Sequence, residues 1–284
     1  MRPIALVVLL HCLLFAPRVW AQPPQPPLVL GFMPYLNAER LVEKYRPLAD
    51  YLARQLGREV RIRVARDYAE HNQKVGRDLL DIAFLGGSPY VEVSADYGPK
   101  PLLARFVFAG KPSFRSVIFV ASDSPLQGLA ELRGKRLALG NIHSTLSSQV
   151  PVYMLEQAGV ALDGLSGREH LRNHENVVLG VKYGDFDAGA VAEEVFEQYL
   201  RQGGIRALAY SQELSTHLFV TRKDLPLPTQ LALREALLGL AEQAEAGPIL
   251  SAIDPNLSGF APVSDADYDP HRRILARVLP LLEP

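Results

Sequence analysis

The chain is poor in sulfur and carries almost no surplus charge. Its one cysteine, Cys12, sits in an apolar N-terminal run, so the remainder has no thiol for a disulfide, a nucleophile or a metal site. Lys and Arg number 30 against 31 Asp and Glu, a net charge of -1. That balance supplies no basic field, and DNA or RNA partners are not expected. No repeat of fixed period is present, and no low-complexity tract beyond one short proline-rich stretch. What the chain does have is apolar content. Of its 284 residues 48% are hydrophobic and 21% charged, enough for a sizeable core in one large or two modest domains.

The first residues read as an export address. Arg2 gives a positive start, Ile4 to Phe15 form an apolar run interrupted only by His11, and Val19-Trp20-Ala21 puts small residues where a signal peptidase reads. Residues 1–21 are therefore expected to be a signal peptide cleaved after Ala21, too short for a membrane anchor. The mature protein is expected in the periplasm, mildly acidic and soluble. Cys12 lacks the preceding small residues that lipoprotein processing requires. Gln22 to Pro27 follow as an extended, proline-rich spacer.

Beyond the spacer, strand and helix patterns alternate. Leu28 to Phe32 reads as a buried strand, and Leu41, Tyr45, Leu48, Leu52 and Leu56 recur at helical spacing over Arg40 to Leu56, with Gly57 as a stop. Val60 to Val64 is a strand and Tyr68 to Arg77 a helix. Asp81 to Leu85 is a strand running into Gly86-Gly87-Ser88-Pro89, where Pro89 suits the first turn of a helix. Ser116 to Ala121 and Arg136 to Leu139 are strands, and Ser144 to Ala158 is a helix. Asn176 to Tyr183, Phe186 to Val191 and Glu193 to Arg201 continue the alternation. His217 to Thr221 is a strand, and Thr229 to Ala246 a long helix. This pattern predicts an α/β fold with largely parallel sheets.

Several of these stretches, taken in order, resemble one family. They are Asp81-Ile82-Ala83-Phe84 entering a glycine-rich turn, Ser122-Asp123-Ser124-Pro125-Leu126 followed by Gly134-Lys135-Arg136-Leu137-Ala138, then Gly140-Asn141, Ser144-Thr145 and Val150-Pro151. Their succession is similar to the periplasmic phosphate-, phosphite- and phosphonate-binding components of ABC transporters, from about Leu28 to Lys223. The resemblance implies a type II periplasmic binding protein, with two α/β lobes joined by two hinge-crossing segments and closing over a ligand in the cleft. It puts the crossings near Ser116 to Ala121 and His217 to Arg222, the first lobe in residues 28–115 plus 219–284, and the second in 116–218. It implies a monomer without a cofactor, a small oxyanion as ligand and an ABC permease as partner. A sensor subunit reporting to a membrane kinase is the alternative.

Holding a tetrahedral oxyanion reversibly in water calls for fixed donors, namely backbone N–H groups at a helix start and nearby hydroxyls. Ser144-Thr145, between a strand and a helix, has both. It resembles a family loop that reads Ser-Thr-Ser and embraces the oxyanion, with Leu146 here in the third place and Ser147 and Ser148 behind it. A simple N-cap role is compatible with binding. Tyr68 aligns with a family tyrosine whose hydroxyl reaches the ligand; alone it reads as a packing residue. A second family aromatic falls on Leu85, and Gly87 and Ser88 at the next helix start are either replacement donors or an ordinary tight turn. His174 matches a ligand-facing family histidine that an anion can hold protonated; alone it reads as a surface histidine capped by Glu175. His217 stands where the family usually has an aspartate. A group able to donate thus replaces an acceptor, which favours a fully ionised ligand or one without an ammonium tail.

Other patterns fall short of sites. In Gly128 to Lys135 the glycines are one residue too far apart for a phosphate loop, and Arg136 stands where Ser or Thr would hold magnesium. His170 and His174 have no third metal ligand in a recognisable pattern and are expected in solvent. Asp265 to Asp269 lacks the glycine and terminal glutamate of a calcium loop and reads as a solvated turn. No metal is expected. An exported hydrolase is disfavoured by the lack of any Ser-His-Asp order or metal cluster.

Overall fold

The computed structural model describes residues 25–282, so the expected signal peptide, its cleavage point and the start of the proline spacer lie outside the described residues. Strand β1 (Leu28–Phe32), helix α1 (Ala38–Leu56), β2 (Val60–Val64), α2 (Tyr68–Gly76), β3 (Ile82–Leu85), α3 (Gly87–Tyr97) and β4 (Leu102–Phe108) come first. β5 (Ser113–Phe114) then leads into β6 (Ser116–Ala121), β7 (Arg136–Leu139), α4 (Val150–Gln157), β8 (Gly167–His170), α5 (His174–Lys182), β9 (Ala188–Ala192), α6 (Glu193–Leu200) and β10 (Ile205–Tyr210). β11 (Leu214–Ser215) carries the chain to β12 (Leu218–Thr221), α7 (Leu227–Leu238), α8 (Ala246–Ile253), β13 (Leu257–Ala261) and α9 (Asp269–Leu282).

Local chemistry sets these limits. Asn37 is extended and its Oδ1 accepts the Arg40 N–H at 2.9 Å, so α1 begins at Ala38, two residues before the expected start at Arg40. It ends at Gly57, whose φ of 60° is the left-handed conformation that favours glycine. The long helix expected over Thr229 to Ala246 is instead two. α7 stops at Gly239, and α8 restarts at Ala246 with Pro248 in its first turn, where a missing N–H is harmless.

Two sheets form the lobes. The first has the order β13-β4-β12-β3-β1-β2 and the second β10-β6-β9-β7-β8. The expectation of largely parallel sheets is corrected here. β1 pairs in parallel with β2 and β3, and β7 with β8 and β9, while every ladder involving β4, β6, β10, β12 or β13 is antiparallel. The reason is the exchange of chain between lobes: β6 and β12 enter their sheets from the other lobe, not through a helical crossover, and so run against their neighbours.

The exchange itself is visible as a third, two-residue ladder, β5 against β11. Both crossings pass here, immediately before the strands expected to carry them, since β6 lies wholly in the second sheet and β12 wholly in the first. The turn feeding β5 has Ala109 at φ 47° and Gly110 at 80°, closed by the Phe108–Lys111 bridge. Two left-handed residues make the tight mirror-image turn that suits the twist of antiparallel strands.

Each lobe has its own core. Leu30, Phe32, Phe84, Phe106 and Phe219 are buried with Leu233 and Leu237 of α7 in the first, and Val117, Phe119, Leu139, Leu155, Val191 and Phe196 in the second. The C-terminal helix departs from the expected assignment to the first lobe. α9 starts against α3, where Tyr268 packs on Tyr90, but buries Ile274, Val278 and Leu282 in the second lobe's core. Those apolar residues recur at four-residue spacing, and the stripe follows the second lobe because that is the surface lying beyond the α3 end of the helix.

Candidate functional site

The loop at residue 144 gains its shape from a proline. Pro151 has no N–H and cannot bond the carbonyl four residues back. That carbonyl, on Ser147, instead accepts the Gly140 N–H at 2.8 Å, tying the loop to the end of β7. The backbone from Thr145 to Gln149 widens into a π-helical turn whose first closing bond runs from Gln149 N–H to Ser144 O at 3.1 Å. The amides of Thr145, Leu146 and Ser148 are thereby left without acceptors inside the turn. Ser144 caps it, its Oγ accepting from Ser147 N–H at 3.4 Å and from the Ser147 hydroxyl at 2.7 Å. The Leu146 carbonyl accepts the Ser116 hydroxyl at 2.6 Å, which fastens the turn to β6.

Opposite stands the start of α3. Gly86 precedes it, and the Ser88 N–H donates to Thr145 Oγ1 at 2.9 Å across the lobe interface. Two helical N-termini therefore meet head to head, a concentration of positive dipole that an anion would relieve. Tyr68, at the start of α2, is buried with its hydroxyl against Ser144. Burial raises its pKa well above the ordinary tyrosine value, so it stays a neutral donor.

His174 is buried, not the surface residue its sequence neighbourhood suggests on its own. Its Nδ1 accepts the Ala192 N–H at 3.4 Å, which leaves the proton on Nε2, 3.3 Å from Ser144 Oγ. His217 lies in an aromatic box, its ring 4.8 Å from Phe84, 4.8 Å from Phe114 and 6.1 Å from Tyr35. Burial, with Lys44 nearby, pushes both histidines down to about 3. Both are neutral at pH 7, because the desolvation cost of the cation outweighs any local attraction. His170 is exposed as expected, with its Nδ1 2.8 Å from Gly140 O, and no group of metal-ligating side chains occurs among the described residues.

Ser144, Thr145, Tyr68, His174, His217 and Ser88 are brought to one interface. Gly87 sits beside them, its missing side chain giving room to His271 of α9. Asp265 to Asp269 is the capped start of that helix: Asp267 Oδ2 accepts the Ser264 N–H at 2.7 Å, and Asp265 accepts the Tyr90 hydroxyl at 2.6 Å.

Several groups at this interface carry no motif of their own. Tyr35 stacks on Phe84 and receives the His174 N–H on its carbonyl at 3.2 Å. Glu175 accepts from Asn37 Nδ2 at 3.2 Å and pairs with Arg40 at the start of α1. On the other side of the cleft Glu92 of α3 accepts from Gln149 Nε2 at 2.8 Å and faces His143 Nδ1 at 3.1 Å. Glu194, at the start of α6, is pushed up by burial, with Lys44 opposing the shift.

A family described as "ABC transporter, phosphonate, periplasmic substrate-binding protein" matches residues 30–268. The phosphate-import protein PhnD of Mycolicibacterium smegmatis is 24% identical over 270 residues, covering 87% of this chain and 84% of that one. Among solved structures, PhnD1 of Prochlorococcus marinus in complex with methylphosphonate superposes with a TM-score of 0.81 at 22% identity, over 89% of this chain and 98% of that one. A binding component of a Pseudomonas aeruginosa phosphonate transporter gives 0.79 at 22% identity, over 88% and 85%. At these identities the two structures show a shared type II binding-protein fold.

Proposed function

The chain belongs to the periplasmic substrate-binding proteins of phosphonate ABC transporters, and from that premise we propose that it captures a small, fully ionised phosphorus oxyanion between its lobes and delivers it to a membrane permease. The observation that carries this reading is the meeting of two helical N-termini at Ser88 and Thr145, 2.9 Å apart from N–H to Oγ1 and flanked by the Tyr68 and Ser144 hydroxyls. Amides without intrahelical acceptors, hydroxyls and a neutral imidazole N–H make a nest of donors, which is what a tetrahedral oxyanion requires. The aromatic box around His217 suits a bare oxyanion or one with a small apolar substituent. Lys44, close enough to act electrostatically on His174 and His217, disfavours an ammonium tail.

A thermal-shift screen of phosphate, phosphite, methylphosphonate and 2-aminoethylphosphonate tests the proposal. The first three, or a subset of them, are expected to raise the melting temperature. An anion at a hundred times its Kd adds about 2.7 kcal/mol. Stabilisation by none of them would end the reading.

Closure is the mechanism, because the contacts between Glu175 and Asn37 or Arg40, and between Glu92 and His143 or Gln149, join opposite lobes. Contacts made only in the closed state shift the equilibrium toward it. The hydrogen bond to Glu92 raises the His143 imidazole above its ordinary value. Its contribution to closure is therefore complete below the free histidine value of about 6.5 and lost as pH rises through the raised one. Wild type is expected to bind about two- to fivefold more tightly than His143→Gln at pH 6, with the two converging by about pH 8.5, the modest size reflecting a half-exposed pair. Comparing the two proteins by titration at each pH cancels the ligand's own ionisation. A constant ratio across the range would remove His143 from the closure equilibrium.

A further inference from the structure

α9 brings a histidine to this interface that no motif marks. His271 is 1% exposed, and among the described residues neither ring nitrogen has a hydrogen-bond partner. An imidazole buried without partners is disfavoured, and an apolar ring would fill the same space without that cost. Its position says what the nitrogens are for. A Cβ on Gly87 would lie 2.2 Å from His271 Nε2, so the edge of the ring occupies the space that glycine leaves open. Gly87 is the first residue of the eleven-residue α3, with an amide that has no acceptor inside the helix. The next amide, of Ser88, is the one held by Thr145. On the π-helical turn the Ser148 hydroxyl is likewise buried without a partner. Unpaired donors from three separate elements thus converge where the two N-termini meet.

We propose that His271 is an additional oxyanion-binding residue, its Nε2–H donating to one oxygen of the anion while the amides at Gly87 and Thr145 take others. The inference rests on the receptor reading above and extends it. It assigns the deepest contact to a helix that packs on both lobes, so the bound anion touches all the elements that closure brings together. His271 acts as a neutral donor. Burial, then Arg272, push its imidazole down to about 4, while Arg272 itself is turned outward to Asp265 and Asp269, and His217 is near enough to act on it electrostatically. Its contribution is therefore constant between pH 6 and 8.

The test is calorimetric titration of the purified protein with phosphate, phosphite and methylphosphonate. For every anion that wild type binds, His271→Phe is expected to raise Kd tenfold or more, equally at pH 6 and pH 8, while the ligand-free melting temperature stays level or rises. His271→Gln, whose amide can donate from a similar place, should recover part of the loss. Unchanged affinity in His271→Phe overturns the inference and leaves the receptor reading standing. Failure of wild type to bind any of the three overturns both. If His271→Phe melts lower without ligand, the ring nitrogens of wild type are read by two-bond nitrogen NMR. Saturating methylphosphonate or phosphate must move the His271 Nε2 signal, and an unmoved signal overturns the assignment.

Discussion

Replacing Ser144 and Thr145 together by alanine is expected to weaken oxyanion binding by about 2–4 kcal/mol, roughly 30- to 1,000-fold in Kd. The magnitude follows from what the pair does. Each hydroxyl is a candidate donor to the anion, and charge-assisted hydrogen bonds are worth about 1.5–3 kcal/mol each. The two also organise the site. Thr145 Oγ1 holds the Ser88 N–H at 2.9 Å, and Ser144 Oγ lies 3.3 Å from His174 Nε2 and 2.7 Å from the Ser147 hydroxyl. Without them the Ser88 N–H, the His174 Nε2–H and the Ser147 hydroxyl, all buried, lose their acceptors. Loss of the Ser144 cap also costs about 1 kcal/mol of fold stability, so the ligand-free melting temperature must be measured alongside the titration. An unaltered Kd would exclude the loop as the site.

The second large effect is expected from a methyl group. Gly140→Ala would place Cβ 1.9 Å from Ser147 Oγ and 2.7 Å from Ser147 Cβ. Ser147 is fully buried and its side chain is too short to swing clear, so the turn must shift. Forced overpacking of this kind costs about 1–3 kcal/mol. Here it also displaces the amides that face the anion, and binding is expected to fall at least tenfold. Adding Ser147→Gly removes both overlapping atoms and should restore a large part of the affinity. Equal binding by Gly140→Ala and wild type would show that the strand end and the turn are not packed as described.

Much of this arrangement is legible locally. A strand, a glycine-rich or hydroxyl-rich turn and a helix start recur at Leu85 to Pro89 and at Leu139 to Val150, and each turn points its amides toward the same face of its sheet. The helix limits near Tyr68 and the strand at Ser116 follow from apolar spacing alone. The antiparallel halves of the sheets do not, because strand direction depends on which lobe the preceding segment came from. Nor does periodicity reveal the π-helical turn, whose width depends on a carbonyl that Pro151 leaves free and Gly140 takes up. Glu92, Glu175 and Lys44 read as ordinary helix-surface charges. Only when α1 meets α5, and α3 meets the loop before α4, do the two glutamates acquire partners 138 and 51 positions away, and Lys44 a place over the Tyr35 ring. His271 is the extreme case, a residue of α9 that no pattern in the sequence joins to its neighbour Gly87.

The path of the chain also bears on how the protein matures. The first lobe's sheet needs β12 and β13, and the second lobe's core needs Ile274, Val278 and Leu282. Vectorial synthesis, in which an N-terminal domain folds while later ones are still being made, is therefore closed to this polypeptide. The first lobe cannot be completed until Ala261 has emerged and the second until Leu282 has, and both lock together late, as α9 lies down across them.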